Sequence, residues 1–426
     1  MISTELTINF PRLQKDLREI SAIGMGKNRG VYRQAFTEND LQARNWLIEK
    51  ISEAGLELKV DGAANIIARY VSNETKRPSI LIGSHIDSVP AAGTLDGTLG
   101  VLTGLEVLRS LKENNVQLEY PVELASFSDE EGRFGGLFGS QSFIGRVTPE
   151  SIHNAKDLSG TTLIEAMENC GYDAMQALNA RRTPESILCY LELHIEQGPV
   201  LDSLRIPLGV VSKISGLFKW KISLIGRADH AGTTPMNMRA DALAGLSEFI
   251  VEIPRLLEEN GNENSVMTVG KVELHPGVAN SVPGRVEFSI DARSTEKDIL
   301  HEMNEAARKT LSAIARRRKL MFEFQILSEV EPVDCDQEII STIRESISEM
   351  NTEFHELPSG AAHDAQILAH ITPVGMIFVP SKDGRSHSPA EWTDWDHMRL
   401  GAEALLKTVC KISEKNKNKL QENHYG

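Results

Sequence analysis

The sequence predicts an α/β protein in which a smaller α+β domain is inserted into a larger domain built on a sheet. Short apolar strands alternate with helices in the first half of the chain, and polar residues gather where these strands end. This combination is typical of a sheet whose carboxyl edge carries the functional site. Further along, the order changes to β-α-β-β-α-β, the split arrangement of a ferredoxin-like layer. The 426 residues suffice for two domains, and we expect 215–329 to be inserted between 1–214 and 330–426.

The elements of the larger domain follow from their apolar patterns. The segment from Pro11 to about Ile51 has helical spacing, 56–60 alternates as a half-buried strand does, and 79–82 is an apolar run typical of a buried strand. We also expect strands at 65–70, 121–127, 187–193 and 375–379, helices at about 101–111 and 337–350, and two modest helices within 151–184. From Lys411 the chain is rich in lysine and asparagine, which predicts a fraying terminal helix and a tail.

The insertion has its own set of elements. Apolar alternation predicts strands at 218–226, 265–274, 285–291 and 321–327. Helical periodicity at about 238–254 and 296–316 predicts two helices between them.

Composition and charge narrow the classes of function. Apolar residues make up 41% of the chain and charged residues 25%, so large-scale disorder is not expected. The 60 acidic residues exceed the 45 basic ones, and a net charge of -15 repels phosphate backbones, which argues against a nucleic-acid partner. We attribute this charge to solubility. No apolar run approaches the ~20 residues needed to cross a bilayer, so no membrane partner is expected.

The cysteines and the start of the chain favour a cytoplasmic location. Cys170, Cys189, Cys335 and Cys410 are far apart and form no Cys-x-x-Cys pair, so neither a thiolate zinc site nor a disulfide framework is indicated. Reduced thiols are the simplest account. The first residues lack the basic flank and apolar stretch of a signal peptide.

Imidazole and carboxylate side chains at separate strand ends or loops are candidate metal ligands: His85, Asp96, Glu131, His194 and His387. Each has a plainer interpretation. Asp96 precedes Gly97 as a turn residue does, Glu131 beside Glu130 resembles a solvated acidic pair, and histidines also occur as ordinary polar residues at the mouth of a sheet. Because all these residues fall at one edge of one predicted sheet, a metal site is favoured over separate coincidences.

The types of donor select the metal and its chemistry. Imidazole and carboxylate without thiolate suit zinc, with manganese, cobalt and nickel as alternatives. The ligands are too many for one catalytic zinc but suit two ions roughly 3.5–4 Å apart that share a bridging carboxylate. Such a pair lowers the pKa of water and polarises a carbonyl, as hydrolysis requires. Since neighbouring side chains diverge, Glu131 can face the metal while Glu130 serves as general base and then as general acid.

Several motifs together resemble one known family. They are Gly83–Pro90, Leu95–Gly100, Glu130–Gly132, His194–Pro199, His230–Met236, Ser359–Ala365 and Ser386–Glu391. The chain resembles the zinc-dependent hydantoinase/carbamoylase amidases, which include N-carbamoyl-L-amino acid hydrolases, β-ureidopropionases and allantoate amidohydrolases and are related in fold to aminoacylase-like dizinc peptidases. The resemblance covers nearly the whole chain. It implies a dizinc-peptidase-like catalytic domain with an inserted ferredoxin-like domain that acts as lid and dimerisation domain.

The resemblance also implies a division of roles in the site. One metal would be held by His85, Asp96 and His194, and Asp96 would bridge to a second metal held by Glu131 and His387. Asp87 would orient His85, and Glu130 would be the base, in agreement with the argument from the residues. The residues implied to bind the substrate are Gln197, His230, Asn280, Arg293, Gly360 and His363.

Three of these residues lie in the insertion. Arg293 has the planar fork that clamps a carboxylate, and His230 and Asn280 can stabilise an oxyanion. Each keeps a structural alternative, because Arg293 can pair with Asp291, Asn280 can form a turn, and His230 can be a loop residue. We expect the substrate in the cleft between the domains, with closure completing the site. The resemblance further implies a homodimer through the insertion, with some contacts made by the partner subunit.

One departure from the family pattern affects the loop beside the acidic pair. Where the family has a further residue between Glu-Glu-Gly and Arg-Phe, this chain runs directly from Gly132 to Arg133. This departure bears on the shape of the loop and on its fit to the ureido end of the substrate.

The leading hypothesis is a dimetal amidohydrolase that cleaves the N-carbamoyl (ureido) group of an N-carbamoyl-L-amino acid or allantoate and releases ammonia and carbon dioxide. The alternative enzyme is a dipeptidase or N-acyl-amino acid deacylase, which needs the same metals. His194, where the peptidase branch tends to use an acidic ligand, favours the amidase, as do Gln197 and Arg293. A non-catalytic binding protein of this fold would lack Glu130 or a ligand, and all are present.

Overall fold

The computed structural model describes residues 6–72 and 76–425. Its strands are β1 (Glu57–Val60), β2 (Ile66–Tyr70), β3 (Ser79–His85), β4 (Val122–Phe127), β5 (Ile187–Ile195), β6 (Leu208–Ile214), β7 (Gly216–Ile225), β8 (Val266–His275), β9 (Arg285–Ser294), β10 (Met321–Val330), β11 (Val333–Asp334), β12 (Phe354–Ser359) and β13 (Val374–Val379). Its helices are α1 (Phe10–Ala22), α2 (Glu38–Glu53), α3 (Thr98–Glu113), α4 (Phe138–Ile144), α5 (Pro149–Asn154), α6 (Leu163–Asn169), α7 (Val200–Leu204), α8 (Ala242–Asn260), α9 (Lys297–Arg318), α10 (Gln337–Ser348), α11 (Asp364–Leu368) and α12 (Trp395–Tyr425).

The chain divides into two compact units. The first contains Met1–Ser212, Cys335–Leu357 and His363–Gly426, and the second contains Lys213–Asp334 and Pro358–Ala362. The expected insertion, 215–329, falls within the second unit.

The short segment Pro358–Ala362 lies within 330–426, which we expect in the larger domain, but it groups with the second unit. The reason lies in its hydrogen bonds. The carbonyl of Ser359 accepts from the amide of Ser215 at 2.9 Å, and the carbonyl of Gly360 accepts from Arg293 Nη1 at 2.7 Å.

The first unit is built on a mixed sheet with the order β1-β2-β4-β3-β5-β13-β6, and β12 pairs with β6. Strands β4, β3, β5 and β13 run parallel to one another, whereas β2 is antiparallel to β4. The parallel strands are buried over almost their whole length, as expected for central strands covered on both faces. The predicted α/β class is confirmed.

Helix α3 packs against this sheet and begins directly after Gly97. Its residues from Thr98 to Leu111 are all buried, which is typical of a helix enclosed on every side. The helix begins at Thr98, earlier than the predicted start near residue 101, so Gly100 lies inside it. A Cβ atom there would lie 2.3 Å from the Leu193 carbonyl oxygen, so glycine allows the helix to pass close to β5.

Some elements were not predicted. Strands β6 and β12 and helix α4 were left unassigned, since each depends on pairing or packing with residues remote in sequence. The predicted terminal helix is present as α12, but it continues to Tyr425, where a tail was expected.

The second unit is a four-stranded antiparallel sheet with the order β10-β7-β9-β8. Helices α8 and α9 supply one side of its core, and apolar side chains such as Trp220, Phe249, Phe288 and Leu311 are buried there. The element order β7-α8-β8-β9-α9-β10 confirms the ferredoxin-like arrangement. Strand β11 pairs with the last residues of β6.

Two further expectations concern the whole chain. Across residues 6–72 and 76–425, no helix combines the length and apolar character that a membrane crossing needs. The four cysteines are free, and Cys189, Cys335 and Cys410 are buried.

Candidate metal centre

Neighbouring strand ends bring the predicted ligands together. His85 is the last residue of β3, His194 lies one residue before the end of β5, and Glu131 follows β4 after a short turn. These strands are adjacent and parallel, so their carboxyl ends share one edge of the sheet. Asp96 and His387 reach the same edge from the loops that precede α3 and α12.

The first cluster consists of His85, Asp96 and His194, all buried. Nε2 of His85 lies 3.6 Å from Asp96 Oδ1, and Nε2 of His194 lies 3.2 Å from the same oxygen. Nδ1 of His85 contacts the main-chain carbonyl of Asp87 at 3.0 Å, and Nδ1 of His194 contacts the carbonyl of Ile195 at 2.8 Å. Because a carbonyl only accepts hydrogen bonds, each Nδ1 carries a proton, and each Nε2 is the atom directed at the cluster.

The second cluster consists of Asp96, Glu131 and His387. Nε2 of His387 lies 3.3 Å from Asp96 Oδ2 and 3.2 Å from Glu131 Oε2. The two oxygens of Asp96 therefore face different clusters, which is the arrangement a bridging carboxylate needs. Glu131 Oε1 is buried and has no hydrogen-bond partner in the described part of the chain, and such an atom is costly unless a cation or donor meets it. The donor types in these clusters fit divalent metal ions.

The charges of these neighbouring groups shift one another's pKa values. Burial by itself raises the pKa of Asp96, but hydrogen bonds with His194 and His387 outweigh it and hold that pKa well below the usual range. Hydrogen bonds with Asp96 and Glu131 raise the pKa of His387 to about 10. Burial by itself lowers the pKa of His194, yet the hydrogen bond with Asp96 raises it to about 9. The raised pKa values of His194 and His387 and the lowered pKa of Asp96 thus share one cause, the attraction between the imidazoles and this carboxylate.

Glu130 lies beside the first cluster. Its Oε2 is 3.5 Å from Nε2 of His85, and its side chain is almost fully buried. Burial, followed by repulsion from Glu131, raises the pKa of Glu130 well above its usual range. A carboxyl group with a raised pKa can take up and return a proton near neutral pH, so the surroundings of Glu130 suit acid–base chemistry.

Asp87 connects His85 to the acidic pair. Its main-chain carbonyl holds the imidazole of His85, whereas its carboxylate Oδ1 lies 3.9 Å from His85 Nδ1. The carboxylate instead accepts the backbone amides of Glu130 and Glu131 at 3.3 and 3.2 Å. Asp87 therefore orients the histidine through its backbone and holds the Glu130-Glu131 turn through its side chain.

The loop after Glu131 is held by Arg133. This side chain donates to Asp157 Oδ2 from Nε at 3.1 Å and from Nη2 at 3.0 Å, and to the Ala35 carbonyl from Nη1 at 2.6 Å. Gly132 has a φ of 85°, a value that favours glycine. A cavity of about 370 Å³ lies beside this loop, with Glu131, Gly132 and Arg133 in its lining. The direct connection from Gly132 to Arg133 thus shapes one wall of this cavity.

Two predicted substrate residues of the first unit lie at the candidate centre. Gln197 Nε2 donates to Asp96 Oδ2 at 2.7 Å, while its Oε1 is buried and, among the residues described, has no hydrogen-bond partner. The buried imidazole of His363 meets that of His194 edge-on, with ring centroids 4.6 Å apart. Their contact with substrate stays a prediction.

His230 and Asn280 lie together at one end of the sheet of the second unit. The amide of Ala231 donates to the Asn280 carbonyl at 2.9 Å, and His230 forms an isolated bridge with Ser281. Both His230 and Asn280 are exposed.

Arg293 lies at the other end of that sheet, one residue before the end of β9. Its Nε and Nη2 donate to the two carboxylate oxygens of Asp291 at 2.9 and 3.2 Å, and its Nη1 donates to the Gly360 carbonyl at 2.7 Å. The pairing with Asp291 that we considered as a structural alternative is therefore present. The roles of Arg293 and Gly360 in substrate binding stay predictions.

Comparison with known proteins identifies the family. The family described as "Peptidase family M20/M25/M40" matches residues 81–411. The chain belongs to this M20 family. Its relatives include N-carbamoyl-L-amino acid amidohydrolase from Geobacillus stearothermophilus, which is 37% identical over 410 residues that cover 96% of this chain and 99% of the relative. Allantoate amidohydrolase from Escherichia coli (strain K12) is 33% identical over 404 residues, covering 94% of this chain and 97% of the relative.

Solved structures similar to this chain agree. An amidase of the hydantoinase/carbamoylase family from Burkholderia multivorans superposes with a TM-score of 0.86 at 33% identity, covering 95% of this chain and 98% of the other. The resemblance to hydantoinase/carbamoylase amidases and the dizinc-peptidase-like fold class are thus confirmed.

Several residues near the candidate ligands of this M20 protein were not predicted from the sequence as members of the site. Ser386 and Glu391 were noted only as parts of a motif, although Ser386 Oγ donates to Asp96 Oδ2 at 2.8 Å. Glu192 Oε1 accepts from the hydroxyl of Ser84 at 2.9 Å. The available signal was spacing, because residues two apart on a strand share a face, and Glu192 stands two residues before His194.

Proposed function

We propose that this M20 protein is a metal-dependent amidohydrolase that cleaves the N-carbamoyl or ureido group of a small carboxylate-bearing substrate. The substrate is an N-carbamoyl-L-amino acid or allantoate, the products include ammonia and carbon dioxide, and the bond broken is a carbon–nitrogen bond other than a peptide bond. The observation that carries this proposal is Asp96, whose two oxygens face two separate ligand clusters beside the buried Glu130. The names of the similar amidohydrolases support the substrate class.

Two divalent ions per subunit are proposed as the cofactor, with zinc favoured and manganese, cobalt or nickel as alternatives. His85 and His194 would hold one ion and Glu131 and His387 the other, with Asp96 shared between them. When bound, such ions lower the pKa of water and polarise the ureido carbonyl.

The residues of the chain would then divide the proton transfers. Glu130 takes a proton from the attacking water and returns it to the departing nitrogen of the ureido group, so the C–N bond breaks without release of an amide anion. Asp87 keeps Glu130 in place by accepting its backbone amide. The carbamate that remains decomposes to carbon dioxide and ammonia.

The second unit would supply the remaining substrate contacts. Arg293 is proposed to clamp the substrate carboxylate, since its guanidinium is held in a defined plane by Asp291 and Gly360. His230 and Asn280 are proposed to stabilise the oxyanion that forms at the carbonyl.

A homodimer through the second unit is proposed because these contacts lie far apart in one chain. Arg285 begins β9 at the end of the sheet near His230 and Asn280, and Arg293 lies eight residues further along the strand. That stretch of strand spans roughly 26 Å, more than the length of a carbamoyl amino acid. One substrate would therefore meet Arg293 of one subunit and His230 of the partner subunit.

The location of the protein and the classes of partner are proposed from its thiols and its net charge. Free, largely buried thiols are typical of reducing compartments, which favours the cytoplasm. The net charge of -15 argues against nucleic acid as a partner.

The direct test is zinc-loaded protein incubated with a panel of N-carbamoyl-L-amino acids and with allantoate, scored for release of ammonia. We expect release from at least one of these classes and slower turnover of dipeptides and N-acetyl amino acids. No ammonia from either class would contradict the proposal, and faster cleavage of a dipeptide would favour the peptidase alternative.

A further inference from the structure

The buried carboxylate of Glu391 reaches the loop that carries Asp96. Its Oε1 accepts the backbone amides of Leu95 and Asp96 at 2.9 and 3.1 Å. Glu391 is only 5% exposed. Because one buried oxygen accepts both amides, the side chain of Glu391 fixes the backbone at two consecutive residues, Leu95 and Asp96.

The same carboxylate also reaches the loop that carries His387. Ser386 Oγ lies 3.1 Å from Glu391 Oε2 and 2.8 Å from Asp96 Oδ2. A single hydroxyl, on the residue just before His387, thus stands between the carboxylates of Glu391 and Asp96. Through these contacts the side chain of Glu391 touches both ligand-bearing loops.

The position of Glu391 is tightly enclosed on the side of Gly93. A Cβ atom at Gly93 would lie 2.2 Å from the carboxyl carbon of Glu391. Real contacts of that length do not occur, so the glycine leaves room for the carboxylate. The carboxylate of Glu391 therefore packs directly against the loop that precedes Asp96.

We propose that Glu391 is a positioning residue of the metal centre, which sets the direction of the Asp96 carboxylate and ties it to the loop of His387. This inference rests on the proposed metal centre. A bridging carboxylate must present both oxygens in fixed directions, and groups that orient a ligand typically change metal affinity or activity about 10- to 100-fold when removed. This role also explains why the motif Ser386–Glu391 ends in a buried acid.

The test compares Glu391→Leu with Glu391→Gln. Leucine keeps the volume but cannot accept the amides of Leu95 and Asp96, so we expect Zn²⁺ affinity to fall about 10- to 100-fold. Glutamine keeps one oxygen for these amides and can donate to Ser386, so it should recover most of the affinity. Competitive titration with a chelator gives the affinity, and the visible absorption of the Co²⁺-loaded protein reports the geometry of the ligands independently of turnover.

A matched control distinguishes positioning from general loss of stability. Asp336 Oδ1 also accepts two backbone amides, of Glu338 and Ile339 at 2.9 and 3.0 Å, but at the start of α10. Asp336→Leu should lower the unfolding temperature and leave Zn²⁺ affinity unchanged. If it weakens Zn²⁺ binding as much as Glu391→Leu does, the proposal is wrong.

A second variant keeps the proposal testable if Glu391→Leu does not fold. Gly93→Ala retains Glu391 but displaces its carboxylate, so it should weaken Zn²⁺ binding in the same way. Wild-type affinity and an unchanged Co²⁺ spectrum in Gly93→Ala and in any folded Glu391→Leu protein would overturn the role of Glu391 alone. A wild-type protein that binds no metal would overturn the proposed metal centre as well, so the two failures are distinguishable.

Discussion

At the scale of single residues, the orientation of Asp96 decides what the candidate centre can do. One of its oxygens faces His85 and His194 and the other faces His387. The second oxygen also accepts from Gln197 Nε2 at 2.7 Å. A carboxylate held in this way can serve two ions at once, which an ordinary turn aspartate does not do.

The first prediction concerns Glu130. In Glu130→Gln the ligand clusters remain, but no group is left to take a proton from water, so kcat should fall by about 10²- to 10⁴-fold. Metal content, measured by mass spectrometry of the purified variant, should equal that of the wild type. Undiminished turnover in the metal-loaded variant would show that another group is the base.

The second prediction concerns pH. In the metal-free protein the pKa of His194 is about 9 and that of His387 about 10, so at pH 7 both imidazoles hold protons that must leave when metal binds. Metal affinity should therefore rise as pH rises from about 6 to about 9, because protons compete less. Calorimetry in buffers of different ionisation enthalpy measures the protons released.

The His387→Ala variant provides the control for that titration. It should release fewer protons per metal bound, since one of the imidazoles with a raised pKa is gone. A wild-type affinity that stays constant over the same pH range would contradict the assignment of these histidines as ligands.

At the scale of elements, the turn into α3 fits closely around a candidate ligand. Gly97 has a φ of 60°, and a Cβ atom there would lie 2.4 Å from Cε1 and Nε2 of His85. Glycine is therefore needed at position 97 for two reasons. It allows the positive φ of the turn, and it leaves space for the imidazole of His85. The helix that follows is buried from its first residue, so the turn cannot move away to make room.

The third prediction compares two glycines with positive φ. Gly97→Ala should displace His85 and weaken metal binding at least about tenfold, in addition to the backbone strain of ~1 kcal/mol expected for alanine at positive φ. Gly160 has a φ of 92°, and a Cβ atom there would have no described atom within 4 Å, so Gly160→Ala should show the strain alone. Metal titration and chemical denaturation of both variants separate the two effects. Equal metal affinity in both variants would contradict the close fit around His85.

At the scale of the whole molecule, the second unit carries predicted substrate residues at both ends of its sheet. His230 and Asn280 lie near the start of β9, and Arg293 lies near its end. The exposure of apolar side chains on this unit, such as Val251 and Val266, is compatible with an interface between copies. Among soluble homo-oligomers, closed two-fold symmetric dimers are the commonest.

The fourth prediction tests that assembly by mixing two inactive variants. Glu130→Gln lacks the base, and His230→Ala lacks the proposed oxyanion donor. If His230 acts on the partner's centre, each hybrid dimer contains one complete site, and random exchange of subunits should restore about a quarter of the wild-type activity. Ammonia release before and after exchange is the measurement.

Homodimers of each variant, treated in the same way, are the controls and should stay inactive. If the mixture also stays inactive although subunit exchange is demonstrated with labelled chains, His230 does not act across the dimer.

The α/β class, the inserted layer and the family could be predicted from the sequence, because they depend on local periodicity and on short motifs. The run that became β3 needs only its own apolar side chains to be recognised, and His85 follows it directly. The first and last residues of helices and strands were harder to predict from the sequence. The start of α3 was predicted too late because glycine by itself is unfavourable in a helix. The helix needs glycine at position 100 because the carbonyl of Leu193 lies too close for a side chain.

The sequence by itself determined the chemistry available to this protein: imidazoles and carboxylates at strand ends, an acidic pair and an arginine fork. Only the tertiary structure decided which oxygen of Asp96 faces which cluster, and that the Asp87 side chain holds the Glu130-Glu131 turn. It likewise revealed Glu391, whose contact with Leu95 joins residues 296 positions apart. The local pattern of a segment determines its tendency to form a helix or a strand. The direction of a buried carboxylate depends instead on hydrogen-bond donors that the fold brings together. No single stretch of sequence contains both the carboxylate and these donors.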